Sequence, residues 1–258
     1  MGKKLSFDRE CSLFSSKRLE DIAILRFKKG FLFHIIDLRN RDTLLAYLDH
    51  ISKTDSIKVV VIIGCPDKAG SEEYIRFYHQ VIGSSLGITS IQRVYNVVDQ
   101  FILRVVDLNK IVVHANRGKV ISLFFNMSLA CDYRIVTDNT VFQNPYLDLG
   151  TVPKGGGAFF LSKMLGASKA YEILLSSKDL TAHEALRLGI VDKVVPVNEF
   201  EETVMDVAHT FARKPRRTLE GIKKFLNNSM KDLKENLELE DEEINKIISN
   251  SDFWKELR

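Results

Sequence analysis

The chain is poor in the residues that mark specialised classes of protein. It has three cysteines in 258 residues, Cys11, Cys65 and Cys131. They form no CxxC pair and cannot all be bridged within one chain, so a disulfide scaffold is excluded and a reduced, cytoplasmic setting is expected. Long apolar runs are also missing. Stretches such as Val59 to Ile63 fall far short of the ~18 to 20 residues of a bilayer span, which argues against an integral membrane protein. The basic start Met1-Gly2-Lys3-Lys4 runs into Asp8, Arg9 and Glu10 rather than an apolar signal core, so no export signal is expected. The six histidines are scattered, none four residues from another, and no Cys/His cluster has ligand spacing, so no metal is expected. Excess charge of one sign is absent as well. Against 37 basic residues stand 34 acidic ones, a formal net charge of +3, too little to recruit nucleic acid or a membrane surface. An anionic ligand has to be held locally.

What is present is globular. Hydrophobic residues make up 45% and charged residues 28%, ordinary values that supply a buried core and exclude global disorder. The length suits one hydrophobic core, or one core with an appendage. Ile22 to Phe27 and Phe31 to Ile35 read as antiparallel strands parted by Lys28-Lys29-Gly30. Leu44, Leu45, Leu48 and Ile51 recur at helical spacing, and Lys58 to Ile63 reads as a strand buried on both faces. Ser71 to Asn109 reads as two helices interrupted around Gly83 to Gly87. Strands are expected at Lys110 to Ala115, Lys119 to Ser122, Tyr133 to Val136 and Thr140 to Gln143, with a short helix at Leu123 to Ala130. Helices follow at Glu199 to Ala212, Pro215 to Met230 and Leu233 to Ile248, which either cover their own core or form an interaction surface. The alternation defines an α/β protein with parallel pairing. Its division is expected at residues 1–196 for the core and 197–258 for the helical region.

Several motifs carry little chemistry alone. Gly155-Gly156-Gly157 after Lys154 matches neither the dinucleotide fingerprint nor the phosphate loop, and reads as a tight turn or as a glycine-opened helix start with free amides. Arg213-Lys214-Pro215-Arg216-Arg217 reads as a solvated helix start, without the aromatic residues of a nucleic-acid patch. His114, Phe124 and Phe125 read as core.

Residues 110 to 196 are more specific. Ser128-Leu129-Ala130-Cys131-Asp132-Tyr133-Arg134-Ile135-Val136, Phe142-Gln143-Asn144-Pro145 and Leu149-Gly150-Thr151-Val152-Pro153-Lys154-Gly155-Gly156-Gly157 follow in order, then Gly166-Ala167-Ser168-Lys169-Ala170 and Leu188-Gly189-Ile190-Val191-Asp192-Lys193-Val194-Val195-Pro196. Together they resemble the enoyl-CoA hydratase/isomerase family, the crotonase superfamily. The resemblance implies a spiral of two strands and a helix, with C-terminal helices that join copies of the chain into a trimer or a dimer of trimers. It implies an acyl-CoA thioester ligand of the kind used in fatty acid metabolism, with coenzyme A as part of the substrate and no separately bound cofactor. It also implies two backbone N–H donors aimed at the thioester oxygen.

By matching motifs, one donor is expected at Ser71 in Lys68-Ala69-Gly70-Ser71-Glu72. The other is expected at Leu123, where the family's three glycines are replaced by Ser122, Leu123 and Phe124. The acid/base positions depart further. Asn126 and Tyr146 stand where hydratases carry their two glutamates, so ordinary two-carboxylate hydration is not expected. Asn orients but does not exchange a proton near neutrality, whereas Tyr, with a pKa near ~10, donates. Lys154 is the charged candidate, either stabilising an enolate or acting as a solvated cation or phosphate contact. Asp148 shares a face with Tyr146 only if the segment is extended. Asn126, Tyr146 and Lys154 are thus the reactive candidates, and pocket lining is the competing role for Asn126 and Tyr146. Isomerisation, decarboxylation and thioester hydrolysis all use the same donors. The competing reading is a catalytically silent subunit that binds CoA esters or contributes to an assembly.

Overall fold

The structure, a computed structural model, describes residues 6–65, 70–82, 87–176, 178–250 and 253. Among the described residues seven strands form the main sheet: β1 (Arg9–Glu10), β2 (Phe14–Leu19), β3 (Ile22–Phe27), β4 (Val59–Ile63), β5 (Ile111–Asn116), β7 (Tyr133–Thr137) and β10 (Lys193–Val195), in that spatial order. From β3 to β10 all neighbours are parallel. Val59-Val60-Val61-Ile62-Ile63 is buried on both faces, as parallel strands covered by helices require. A second, three-stranded sheet joins β6 (Lys119–Ile121), β8 (Val141–Gln143) and β9 (Leu180–Thr181). The α/β architecture is as the sequence implies.

One strand expectation fails. Phe31 to Ile35 is helix α1, and the antiparallel partner of β3 is β2, in register from Phe14–Phe27 to Leu19–Ile22. Five apolar residues in a row do not distinguish a buried strand from a helical turn. The left-handed Gly30, at φ 73°, turns the chain out of β3, and Phe31, Leu32 and Ile35 are buried together.

The remaining helices are α2 (Leu38–Ser52), α3 (Ser71–Ile82), α4 (Gly87–Asp107), α5 (Ser122–Leu129), α6 (Gly157–Leu165), α7 (Ala167–Leu174), α8 (Ala182–Arg187), α9 (Phe200–Ala212), α10 (Arg216–Asn227) and α11 (Leu233–Ile248). The expected break between α3 and α4 falls on residues 83–86, outside the described residues, as do Lys68 and Ala69. The larger core lies between the main sheet, α1 to α8 and α11; a smaller one joins the opposite sheet face to Phe200, Val204, Ala208 and Ala212 of α9. The two rows of side chains on β3, β4, β5 and β7 therefore go to different cores. His114 is buried in β5, and desolvation, then the Arg134 charge, holds it neutral with its pKa lowered to about 3. Phe124 and Phe125 pack against Phe31 and Phe142. All three are core residues, as read from the sequence. Pro215 caps α10 rather than filling its first turn, a shift of one position. Among the described residues no helix is long and apolar enough to cross a membrane.

Candidate functional site

Two helix starts lie beside the small sheet, one at β6 and one at Gln143. The β6 and β8 strands pair in parallel, with Ile121 opposite Gln143, and Ile121 caps α5. Leu123 is therefore two residues beyond a strand position that faces Gln143. The Gln143 side chain reaches the other helix start, where its Oε1 accepts the Ser71 N–H at 3.1 Å. Gly70 completes the approach. A Cβ there would lie 2.8 Å from Gln143 Oε1 and 3.2 Å from Lys119 Cβ, so glycine lets α3 begin this close to β6 without displacing the Gln143 side chain. Ser71 and Leu123 thus belong to one junction. Leu123 and Phe124 are buried.

Asn126, Tyr146 and Lys154 do not converge with them as free groups. Asn126 is buried, and its Nδ2 donates to the Lys154 carbonyl at 2.8 Å. Gly157 packs so closely that a Cβ would sit 2.5 Å from Asn126 Nδ2. The Tyr146 hydroxyl donates to the Leu174 carbonyl at 2.7 Å, and burial pushes its pKa up to about 12. Asp148 is exposed in a turn, not an extended strand, so it does not share a strand face with Tyr146.

Lys154 is the opposite of a solvated cation, its side chain being 1% exposed. The ammonium lies 2.6 Å from Asp99, 3.0 Å from Asp241 and 3.8 Å from Glu240. The Leu237 carbonyl adds a fourth acceptor at 3.4 Å. Glu240 also accepts the N–H groups of Gly155 at 2.9 Å and Gly156 at 3.0 Å. The amides that the glycine run leaves free are thereby filled by α11 of the same chain. One ammonium faces three carboxylates, and burial pushes Asp99 up to about 8 and raises Glu240. Sequence reasoning missed this cage. Asp99 was readable as an acid inside the buried stripe of Tyr95, Val98 and Ile102 on α4. Glu240 and Asp241 were not, because they sit in an acidic run that reads as a solvated face.

Among the described residues no group of three or more His, Cys, Asp or Glu is arranged to hold a metal. A cleft of 300 Å³ adjoins the junction, with Asn144, Ile173, Lys178, Asp179, Leu180 and Leu188 among its walls. Gln143 Nε2 donates to Asp179 at 3.1 Å, which links the cleft wall to Ser71.

The fold recurs in known proteins. The enoyl-CoA hydratase/isomerase family model matches residues 35–257. The chain belongs to that family. It is 30% identical over 146 residues to a short-chain-enoyl-CoA hydratase from Clostridium acetobutylicum, covering 56% of each chain. To a crotonyl-CoA hydratase from Syntrophomonas wolfei it is 27% identical over 198 residues, 74% of this chain and 73% of that one. The chain spans about half the length of several other curated relatives it matches. An enoyl-CoA hydratase structure from Bacillus halodurans superposes with a TM-score of 0.81 at 21% identity, covering 95% of this chain and 99% of that one. One from Mycobacterium avium gives 0.79 at 18% identity, over 96% and 99%. At those identities the structures establish the crotonase fold.

Proposed function

We propose that the protein binds an acyl-CoA thioester at the junction of α3 and α5, with the N–H groups of Ser71 and Leu123 directed to the thioester oxygen. The observation that carries this reading is the Ile121–Gln143 register, which sets the start of α5 beside the residue that contacts the start of α3. Two amides at helix N-termini stabilise negative charge on a carbonyl oxygen without reorganising during reaction. The chemistry this supports is enolate or oxyanion formation by a route other than two-glutamate hydration. Decarboxylation asks least of the missing groups, because loss of carbon dioxide makes the enolate without a base. Isomerisation needs a proton carrier, and thioester hydrolysis needs an activated water.

A second reading is a catalytically silent CoA-ester-binding or assembly subunit. It is favoured by the hydrogen bonds that commit Asn126 and Tyr146 to main-chain carbonyls. In either case the chain is proposed to assemble with copies of itself, as a trimer or a dimer of trimers. Ile222, Phe225 and Leu226 on α10 support this by being 50%, 78% and 65% exposed, a face that association would cover.

The test is a thermal-shift and mass-spectrometric screen with CoA, crotonyl-CoA, butyryl-CoA and carboxylated acyl-CoAs. The expected result is stabilisation by acyl-CoAs and no hydration of crotonyl-CoA. Turnover of another thioester selects the first reading, and binding without product selects the second. Absence of any acyl-CoA binding refutes both.

A further inference from the structure

The Ser71 N–H already has an acceptor, and it is an amide carbonyl. Gln143 Oε1 occupies it at 3.1 Å while Gln143 Nε2 is held by Asp179 at 3.1 Å. The two partners fix which way the amide faces. A backbone N–H needs the oxygen and a carboxylate needs the NH2 group, so both bonds form in one orientation only. The side chain is half-buried, and Asp179 stands in the wall of the 300 Å³ cleft.

We infer that Gln143 is an internal stand-in for the thioester carbonyl, a positioning residue that must leave the Ser71 N–H before an acyl-CoA oxygen takes it, and so sets affinity for the acyl group. This rests on the reading of Ser71 as a donor to the thioester. Three features support the stand-in role. The acceptor is neutral, so exchanging it for another neutral carbonyl involves no loss of an ion pair. It hangs from the last residue of β8, next to Asn144 in the wall of the cleft. Its other anchor, Asp179, is exposed to solvent, where the hydrogen bond is readily replaced by water. The competing role is a helix cap for α3 and nothing more.

Free CoA has no acyl carbonyl, so the ratio of acyl-CoA to CoA affinity separates the two roles. Titration calorimetry with butyryl-CoA and with CoA is to be run on the unaltered protein, on Gln143→Ala, and on Gln143→Glu combined with Asp179→Asn. Gln143→Ala removes the competitor. It is expected to tighten butyryl-CoA by about three- to tenfold, the size of one neutral hydrogen bond, with CoA unchanged. Gln143→Glu, combined with Asp179→Asn so that its second oxygen meets an amide NH2 group rather than a carboxylate, keeps an acceptor at the start of α3 and so folds even if the alanine variant does not. Its charge-assisted bond holds Ser71 more firmly, and the butyryl-CoA to CoA affinity ratio is expected to fall. Ratios unchanged in both variants, or a fall with Gln143→Ala, overturn the stand-in role while leaving acyl-CoA binding intact. No binding of either ligand by any of the three proteins overturns the donor reading itself, and the stand-in role with it.

Discussion

Residues 141 to 157 link two regions that treat polar groups in opposite ways. At the β8 end, one neutral amide bridges Ser71 and Asp179 at the edge of a cleft. At the glycine end, a buried ammonium and three carboxylates from α4 and α11 close on one another. A neutral hydrogen bond is worth about 1 kcal/mol net and exchanges with a ligand or water. A buried ion cluster does not, because removing one partner strands the others in a poorly solvating interior. Residues that look equally reactive along the chain therefore divide into exchangeable and locked sets.

The sharpest way to break that contrast is Lys154→Ala. It leaves Asp99, Glu240 and Asp241 without their cation and is expected to cost ~3–5 kcal/mol in denaturant unfolding. Next is the pH dependence of the same cage. The folded pKa of Asp99 is raised, chiefly by burial, to about 8. Its stabilising contribution is thus fully present below the ordinary carboxylate value near ~4 and is lost as pH rises through about 8. Urea titrations across this window are expected to show a flatter stability profile for Asp99→Asn than for the unaltered chain. Equal slopes would show that Asp99 is not held protonated.

Packing around Asn126 gives a smaller effect. Gly157→Ala places a Cβ 2.5 Å from Asn126 Nδ2 and is expected to cost ~1–3 kcal/mol. A double-mutant cycle with Asn126→Ala should recover part of that loss, and strict additivity would contradict the close contact. Smallest is Tyr146→Phe, which removes the bond to the Leu174 carbonyl. The expected cost is ~0.5–1.5 kcal/mol, read by chemical denaturation, with acyl-CoA affinity within twofold of the unaltered protein. A large loss of affinity would move Tyr146 from scaffold to ligand contact.

Much of the scaffold was legible because its signals are local. Val59 to Ile63, Leu44 to Ile51 and the C-terminal helices carry their period in their own residues. The α1 segment was misread because five apolar residues carry too little period, and β2 escaped notice because Phe14-Ser15-Ser16-Lys17-Arg18-Leu19 is mostly polar. At the site, the family motifs pointed to Ser71, Leu123, Asn126 and Tyr146 as the residues to follow. They did not reveal that Asn126 and Tyr146 are tied to main-chain carbonyls, since the partners lie 28 residues away in each case.

The amino-acid order alone determined the parallel α/β scaffold and the family, because these depend on residue identity and local periodicity. Only the tertiary structure decided what holds each polar group. Whether Lys154 is solvated or caged, and whether the Ser71 amide is vacant or filled, depends on α11 and β8 arriving from 83 and 72 residues away. Burial, which makes an ion pair costly to break and a neutral hydrogen bond easy to exchange, is a property of that arrival.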